Sequence, residues 1–300
     1  MAPPTALDAF TKVVDRGFPG IHGLYTGTNY EWFLLVCLGD KITYKTFFGD
    51  VVEKKGKFAG RCYIQYYDTF FYNQKSDLVA KAQHHIMRLE RGETKRGDKY
   101  SEIHQQKYSK SDIESIYSDY DKEIIRGSNT LYWGDVQIGE ELTPVVKGPL
   151  TVTDIIAWNI AVGGVYIKAH KHMVNYLKKH QALTVPNELG IPDIPERVHW
   201  DQEFAKTIGA PGPYDYGPER IAWIGHMMTN WISDDGFLRK LNVQLRRLNL
   251  IGDTTWCKGK VLRKYVEDNE NLVECEVWCE NQRKERTAVG TATVRLPLKD

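Results

Sequence analysis

The chain has 300 residues, enough for one large domain or two modest ones, each with its own core. Forty Lys and Arg against 39 Asp and Glu leave a formal net charge of +1, so composition gives no electrostatic case for a nucleic-acid or membrane partner. No run approaches the roughly 18 apolar residues of a membrane span, the Met1–Thr5 start lacks signal-peptide character, and five scattered cysteines without a histidine pair argue against a zinc site. A reduced, cytoplasmic setting is the expectation.

In chain order, residues 5–15 read as a short amphipathic helix ahead of a strand block over 30–89. That block alternates apolar and polar residues, as in Cys62-Tyr-Ile-Gln-Tyr-Tyr67, with a hairpin-like turn at 53–57. Residues 92–108 are charged and loop-like, and 111–125 read as a linker helix. A helix over 153–161 opens on Thr153 and Asp154 and breaks at Gly163-Gly164. Residues 165–181 resume helically, with lysines and His170, His172 and His180 on a solvated face. Residues 218–231 start with Pro218 in the first turn and are apolar around most of the circumference, which predicts a buried helix. His226 within it reads as a buried core histidine. A second strand block over 240–296 follows, with a turn at 267–271.

The two strand blocks repeat each other. Gly39-Asp40 precedes the second run of one and Gly252-Asp253 that of the other, and a helix stands before each copy. Such a repeat predicts duplicated α+β modules. In the first block His84-His85 should place one ring inward and one outward.

The chemistry concentrates in His199-Trp200-Asp201-x-x-x-Ala205-x-x-x-Gly209, followed by Gly217-Pro218 and the apolar helix. This puts a histidine and carboxylates on a polar loop directly before a helix N-terminus. Asp201 is placed to cap the short segment after it. Asp193 and Glu196 are the acids nearest His199, and Tyr214 lies on the loop leading to Gly217.

With Gly39-Asp40, Gly252-Asp253 and the Trp133–Leu142 segment (WGDVQIGEEL), this order resembles the MaoC-like hydratase/dehydratase family of hotdog folds. Closer still is its double-hotdog group, whose first half looks like the dehydratase region of fatty acid synthase. The resemblance implies an α+β double hotdog: an incomplete N-terminal hotdog over 1–92, a linker over 93–130, and a C-terminal hotdog over 131–300 that carries the site. The chain starts at the Pro3-Pro4-Thr5 stretch, so another chain is expected to complete the first hotdog, or that half serves as a wall.

The implied reaction is reversible hydration of a 2-enoyl-CoA to a 3-hydroxyacyl-CoA, a lyase reaction without metal or redox cofactor. Coenzyme A enters only as part of the substrate. His199 would handle the proton, Asp193 would position the water, and the Gly217 amide would polarise the carbonyl. Tyr214 and Glu196 would contact substrate. The family motif Gly-Asp-x-Asn-Pro-x-His places its acid five residues before the histidine, where this chain has Ile194. Asp193, six before, is the favoured substitute, with Glu196, three before, behind it. The expected partners are an acyl-CoA and either further copies of the chain or another hotdog chain. Two alternatives remain open: a degenerate acyl-CoA-binding subunit of a heteromeric dehydratase, and a hotdog thioesterase.

Overall fold

The computed structural model describes residues 3–10, 21–56, 60–90, 103, 105–162 and 171–299. A 3-10 helix, Pro4–Phe10, precedes four long strands: β1 (Ile21–Trp32), β2 (Thr43–Gly56), β3 (Gly60–Tyr72) and β4 (Leu78–Glu90). Helix α1 (Lys110–Tyr120) then leads to β5 (Val145–Lys147) and α2 (Val152–Ala161). Helix α3 (Lys171–Lys179), a two-residue ribbon of β6 (Val185–Pro186) with β7 (Pro192–Asp193), a 3-10 helix (Pro195–His199) and α4 (Gln202–Thr207) build the overhang. The central helix α5 (Gly217–Ile232) is followed by β8 (Phe237–Leu245), β9 (Thr255–Glu267), β10 (Glu270–Asn281) and β11 (Arg286–Arg295).

Nine strands form one sheet in the order β2-β3-β4-β1-β8-β11-β10-β9-β5. Outward from the centre, each half runs first strand, fourth, third, second, so the sequence repeat appears as a topological one. Gly39 and Gly252 occupy matching left-handed turns, at φ +93° and +92°, ahead of β2 and β9. Alternation buries one face of the C-terminal strands: Val273, Cys275, Val277 and Cys279 on β10, and Ala288, Ala292 and Val294 on β11. These pack with Ile221, Ile224, Met227 and Met228 of α5 in one core that also takes in Tyr30, Trp32, Phe71 and Ala82 of the first half. This is the double-hotdog architecture, with α5 as the expected buried helix.

Local details depart from expectation for physical reasons. Helix α2 is capped by Thr151 rather than opening on Thr153, because Thr151 and Asp154 exchange side-chain-to-backbone hydrogen bonds in a reciprocal box. Ser109 and Asp112 do the same for α1, which ends at Tyr120 rather than at 125. Of the helix expected over 165–181, Lys171–Lys179 is helical and His172 and His180 are exposed, while 165–170 lie outside the described residues. Of the segment expected over 5–15, the part up to Phe10 is a 3-10 helix and the rest lies outside the described residues. It is pinned by Trp32 Nε1 donating to the Pro4 carbonyl at 3.1 Å.

Both His84 and His85 are buried, not one in and one out, because the outward ring of His85 is covered edge-on by Tyr66 at 4.9 Å. His226 is half-exposed rather than core, holding Lys147 Nζ at 2.8 Å and Glu123 at 3.4 Å.

The halves join where β1 pairs antiparallel with β8. Gly27 sits there at φ +155°, and a Cβ on it would stand 2.3 Å from the Val243 carbonyl oxygen. Both the dihedral and the backbone contact require glycine. Gly27→Ala is expected to lower stability by about 1–3 kcal/mol, read as a lower denaturant midpoint at unchanged m-value.

Candidate active site

The overhang is held by one buried cation. Arg197 stacks its guanidinium 4.2 Å over the Phe204 ring and donates from Nη2 to the Pro186 carbonyl at 3.1 Å. It faces Asp201 at 3.6 Å and Asp193 at 3.8 Å. Asp201 caps α4 as the sequence suggests, its Oδ1 accepting from Phe204 N at 2.8 Å. The Asp193 carboxylate accepts from Ile194 N at 2.8 Å and turns toward Arg197.

His199 ends the 3-10 helix Pro195–His199. Its Nδ1 lies 2.7 Å from the Tyr214 carbonyl oxygen. A carbonyl only accepts, so Nδ1 carries the proton and Nε2 is the basic nitrogen of the neutral ring. A 3-10 helix has three residues per turn, so side chains three apart eclipse, and Glu196 shares the His199 face. Asp193 lies before that turn.

Tyr216 completes the cluster. Its ring lies 3.8 Å from the His199 ring at 30°, and stacks on Trp158 of α2 at 5.5 Å. Asn159 Nδ2 donates to the Tyr216 hydroxyl oxygen at 2.9 Å. Burial, then the carboxylates of Glu196 and Glu219, push the phenol well above its usual range, so it stays protonated.

Tyr214 is buried in a small cluster with Val198, Ala205, Ala210 and Leu250. It meets His199 edge-on at 4.8 Å and gives it the backbone carbonyl.

Gly217 opens α5 between two halves of the molecule. A Cβ there would stand 2.6 Å from Leu245 Cδ1 and 2.7 Å from Tyr25 Cδ1. Tyr25 reaches this point because a β-bulge between Tyr25 and Gly27 turns it to the inner face of β1. Its hydroxyl meets Thr28 Oγ1 and, at 3.0 Å, His84 Nδ1. Burial lowers the His84 pKa to about 4, which keeps that ring neutral at neutral pH.

Beneath the helix start lie two buried acids and an arginine. Arg220 Nε pairs with Asp215 at 2.6 Å, and its Nη1 donates to the Arg247 carbonyl at 2.7 Å and the Thr287 carbonyl at 3.0 Å. Complete burial pushes the Asp215 carboxyl up to about 7 against the pull of Arg220. Glu219, 3% exposed, is pushed up to about 9 by burial and by the nearby Asp215 charge. It keeps a backbone hydrogen bond to Tyr216, while its Oε2 meets no partner among the described residues.

Among the sequence-derived candidates, His199, Glu196, Gly217 and the Tyr214 backbone thus gather around Tyr216, and Asp193 is held on Arg197. Sequence reasoning gave no role to Asn159, Glu219 or Tyr25, and weighed Tyr216 only with Tyr214 and Asp215 as lining for the acyl pocket. Among the described residues no group of three or more His, Cys, Asp or Glu could hold a metal ion. None of the described helices is long and apolar enough to cross a membrane.

No family model matches the chain, and no curated protein matches it by sequence. Solved structures do match in fold. A MaoC-like dehydratase superposes with a TM-score of 0.63 at 14% identity, over 99% of this chain and 84% of its own. A MaoC-like dehydratase from Phytophthora capsici gives 0.50 at 12% identity, over 95% and 72%. A Mycobacterium tuberculosis protein with a double hotdog fold gives 0.52 at 10%, over 91% and 74%. The fold is the one these proteins share.

Glu219 ties stability to pH. Between its ordinary value of 4.5 and about 9, the unfolded chain has lost this proton and the folded chain keeps it. Stability from this group is therefore full below the lower value and falls as pH rises through the upper one, with a slope of about 1.4 kcal/mol per pH unit. Thermal melts of Glu219→Gln should show a gain over the parent that grows across this window and levels off above it.

Proposed function

We propose that the double hotdog adds water reversibly across the 2,3 double bond of an enoyl thioester of coenzyme A. The observation that carries this is the basic Nε2 of His199, with Nδ1–H fixed on the Tyr214 carbonyl, beside the start of a buried helix. Conjugate addition of water asks for a base that works near neutral pH and for positive potential at the thioester oxygen. The histidine answers the first. The N–H groups opening α5 and the helix dipole answer the second.

In hydration, Nε2 takes one proton of a water as its oxygen bonds to C3. The C2–C3 π electrons move onto the thioester oxygen, next to the Gly217 end of α5. The enolate then collapses as the imidazolium returns its proton to C2, so one water is added and His199 is regenerated. We assign the water-orienting carboxylate to Glu196, which shares the His199 face of the 3-10 turn and acts on the Tyr216 phenol. Asp193 serves the overhang through Arg197. No redox cofactor is needed, because no electrons leave the substrate.

A second reading, acyl-thioester binding without turnover, draws support from Asp193, the acid nearest the family's motif position, being engaged with Arg197. Turnover separates the two. With crotonyl-CoA, His199→Ala is expected to slow hydration by roughly 10²–10⁴-fold, followed by loss of the enoyl-thioester absorbance. An unchanged rate would sink the mechanism. Release of free CoA from a saturated acyl-CoA would point to thioester hydrolysis instead.

A further inference from the structure

We propose that Tyr216 is a catalytic residue that donates its phenolic hydrogen to the same oxygen His199 works on, the one that joins C3 in hydration and leaves it in dehydration. Three contacts fix the ring. His199 lies against one side at 3.8 Å, Trp158 stacks at 5.5 Å, and Asn159 donates to the hydroxyl oxygen at 2.9 Å. With one lone pair filled by Asn159, the phenolic hydrogen points elsewhere. Tyr216 is half-buried rather than sealed in the core.

The stacked geometry places the phenol and the imidazole at one locus. A ligand oxygen at the edge of the stack, reached by both groups, accepts from Tyr216 while its own proton passes to His199 Nε2. The roles fit in both directions. In dehydration the 3-hydroxyl oxygen gains negative charge as its bond to C3 breaks, and a donor already aimed at it stabilises that charge. Burial, with Glu196 adding to it, keeps the proton on the phenol, so Tyr216 donates a hydrogen bond without giving up its proton. Tyr216 is also the N-cap of α5 and offers no side-chain cap to the helix, so its side chain has no competing structural bond there.

The inference rests on the hydratase reading of the preceding subsection, so its test needs one readout that turnover does not control. Tyr216→Phe keeps both ring contacts and removes only the hydroxyl. The first measurement is steady-state hydration of crotonyl-CoA: kcat should fall by roughly 10–100-fold, as for loss of one hydrogen bond to a charge-bearing group, with KM nearly unchanged. The second is calorimetric binding of 3-hydroxybutyryl-CoA and butyryl-CoA. The parent protein should prefer the hydroxylated ligand by roughly 10-fold, a preference that Tyr216→Phe abolishes.

Both losses together support the assignment. A parent without turnover, whose hydroxyl preference still vanishes in Tyr216→Phe, supports Tyr216 and overturns the hydratase reading. Parent-like kcat and parent-like preference in Tyr216→Phe overturn the assignment and leave that reading standing. A parent with neither turnover nor preference overturns both. Should Tyr216→Phe fail to fold, Asn159→Leu interrogates the same hydroxyl by removing the group that aims it. A partial loss of preference then supports the role, and a parent-like profile overturns it.

Discussion

Among the described residues the nine-stranded sheet has one long buried helix, α5, to close around, and the fold depends on burying it. Helix α5 shares one core with Leu241, Val243 and Val277 from the second half and Tyr30, Trp32 and Phe71 from the first. Each large apolar side chain so buried contributes about 1.5–3 kcal/mol, which is why α5 is apolar around most of its girth. Close approach sets its sequence elsewhere too. Gly225 lets Thr5 cross the helix, since a Cβ would stand 2.7 Å from Thr5 Cγ2. At Gly217 the neighbours are Tyr25 and Leu245. A helix sunk this deeply in apolar surroundings has its polar start as the remaining place for chemistry, and the overhang closes over that start.

Burial of the helix start also fixes its electrostatics. A carboxylate in the first turn normally answers the positive end of a helix dipole. Here Glu219 sits in that turn, but burial beside Asp215 leaves it protonated near neutral pH. Asp215 is answered by Arg220, whose Nη1 donates to two carbonyls of the sheet side. The result is a helix N-terminus whose positive potential is not cancelled by its own acids. It is held in place by an arginine that ties α5 to β11 and to the loop after β8. That potential is what a developing negative charge on a thioester oxygen would meet. Structure and proposed chemistry therefore draw on the same buried groups.

What the sequence disclosed follows from what is local. Strands over both blocks were legible because alternation with period two survives in Val273, Cys275, Val277 and Cys279, and α5 because Pro218 opens an apolar run. The repeat was legible because turn glycines such as Gly39 and Gly252 keep the same left-handed geometry in both copies. His199 stood out through the spacing to Ala205, Gly209 and Gly217. The missing parts are meetings of distant segments. No periodicity announces that a bulge turns Tyr25 onto Gly217, that Asn159 of α2 holds the hydroxyl of Tyr216, or that one arginine gathers Pro186, Asp193, Asp201 and Phe204. His85 misled because alternation predicts direction, while the Tyr66 ring decides burial.

The carboxylate shows most clearly how counting along a chain differs from counting in space. Measured against a motif with its acid five residues before the histidine, Asp193 at six is a closer miss than Glu196 at three. The segment, however, winds as a 3-10 helix from Pro195 to His199, and in that winding three residues make one turn. Glu196 and His199 therefore stand above one another. Asp193 sits before the helix and four residues from Arg197, whose guanidinium takes up its charge. The two prolines at 192 and 195 set this division: Pro195 starts the tight turn, and Pro192 pairs with Pro186 in the ribbon that brings Arg197 its backbone acceptor. A 3-10 winding can thus place an acid on the face of its histidine at a spacing that counting along the chain does not single out.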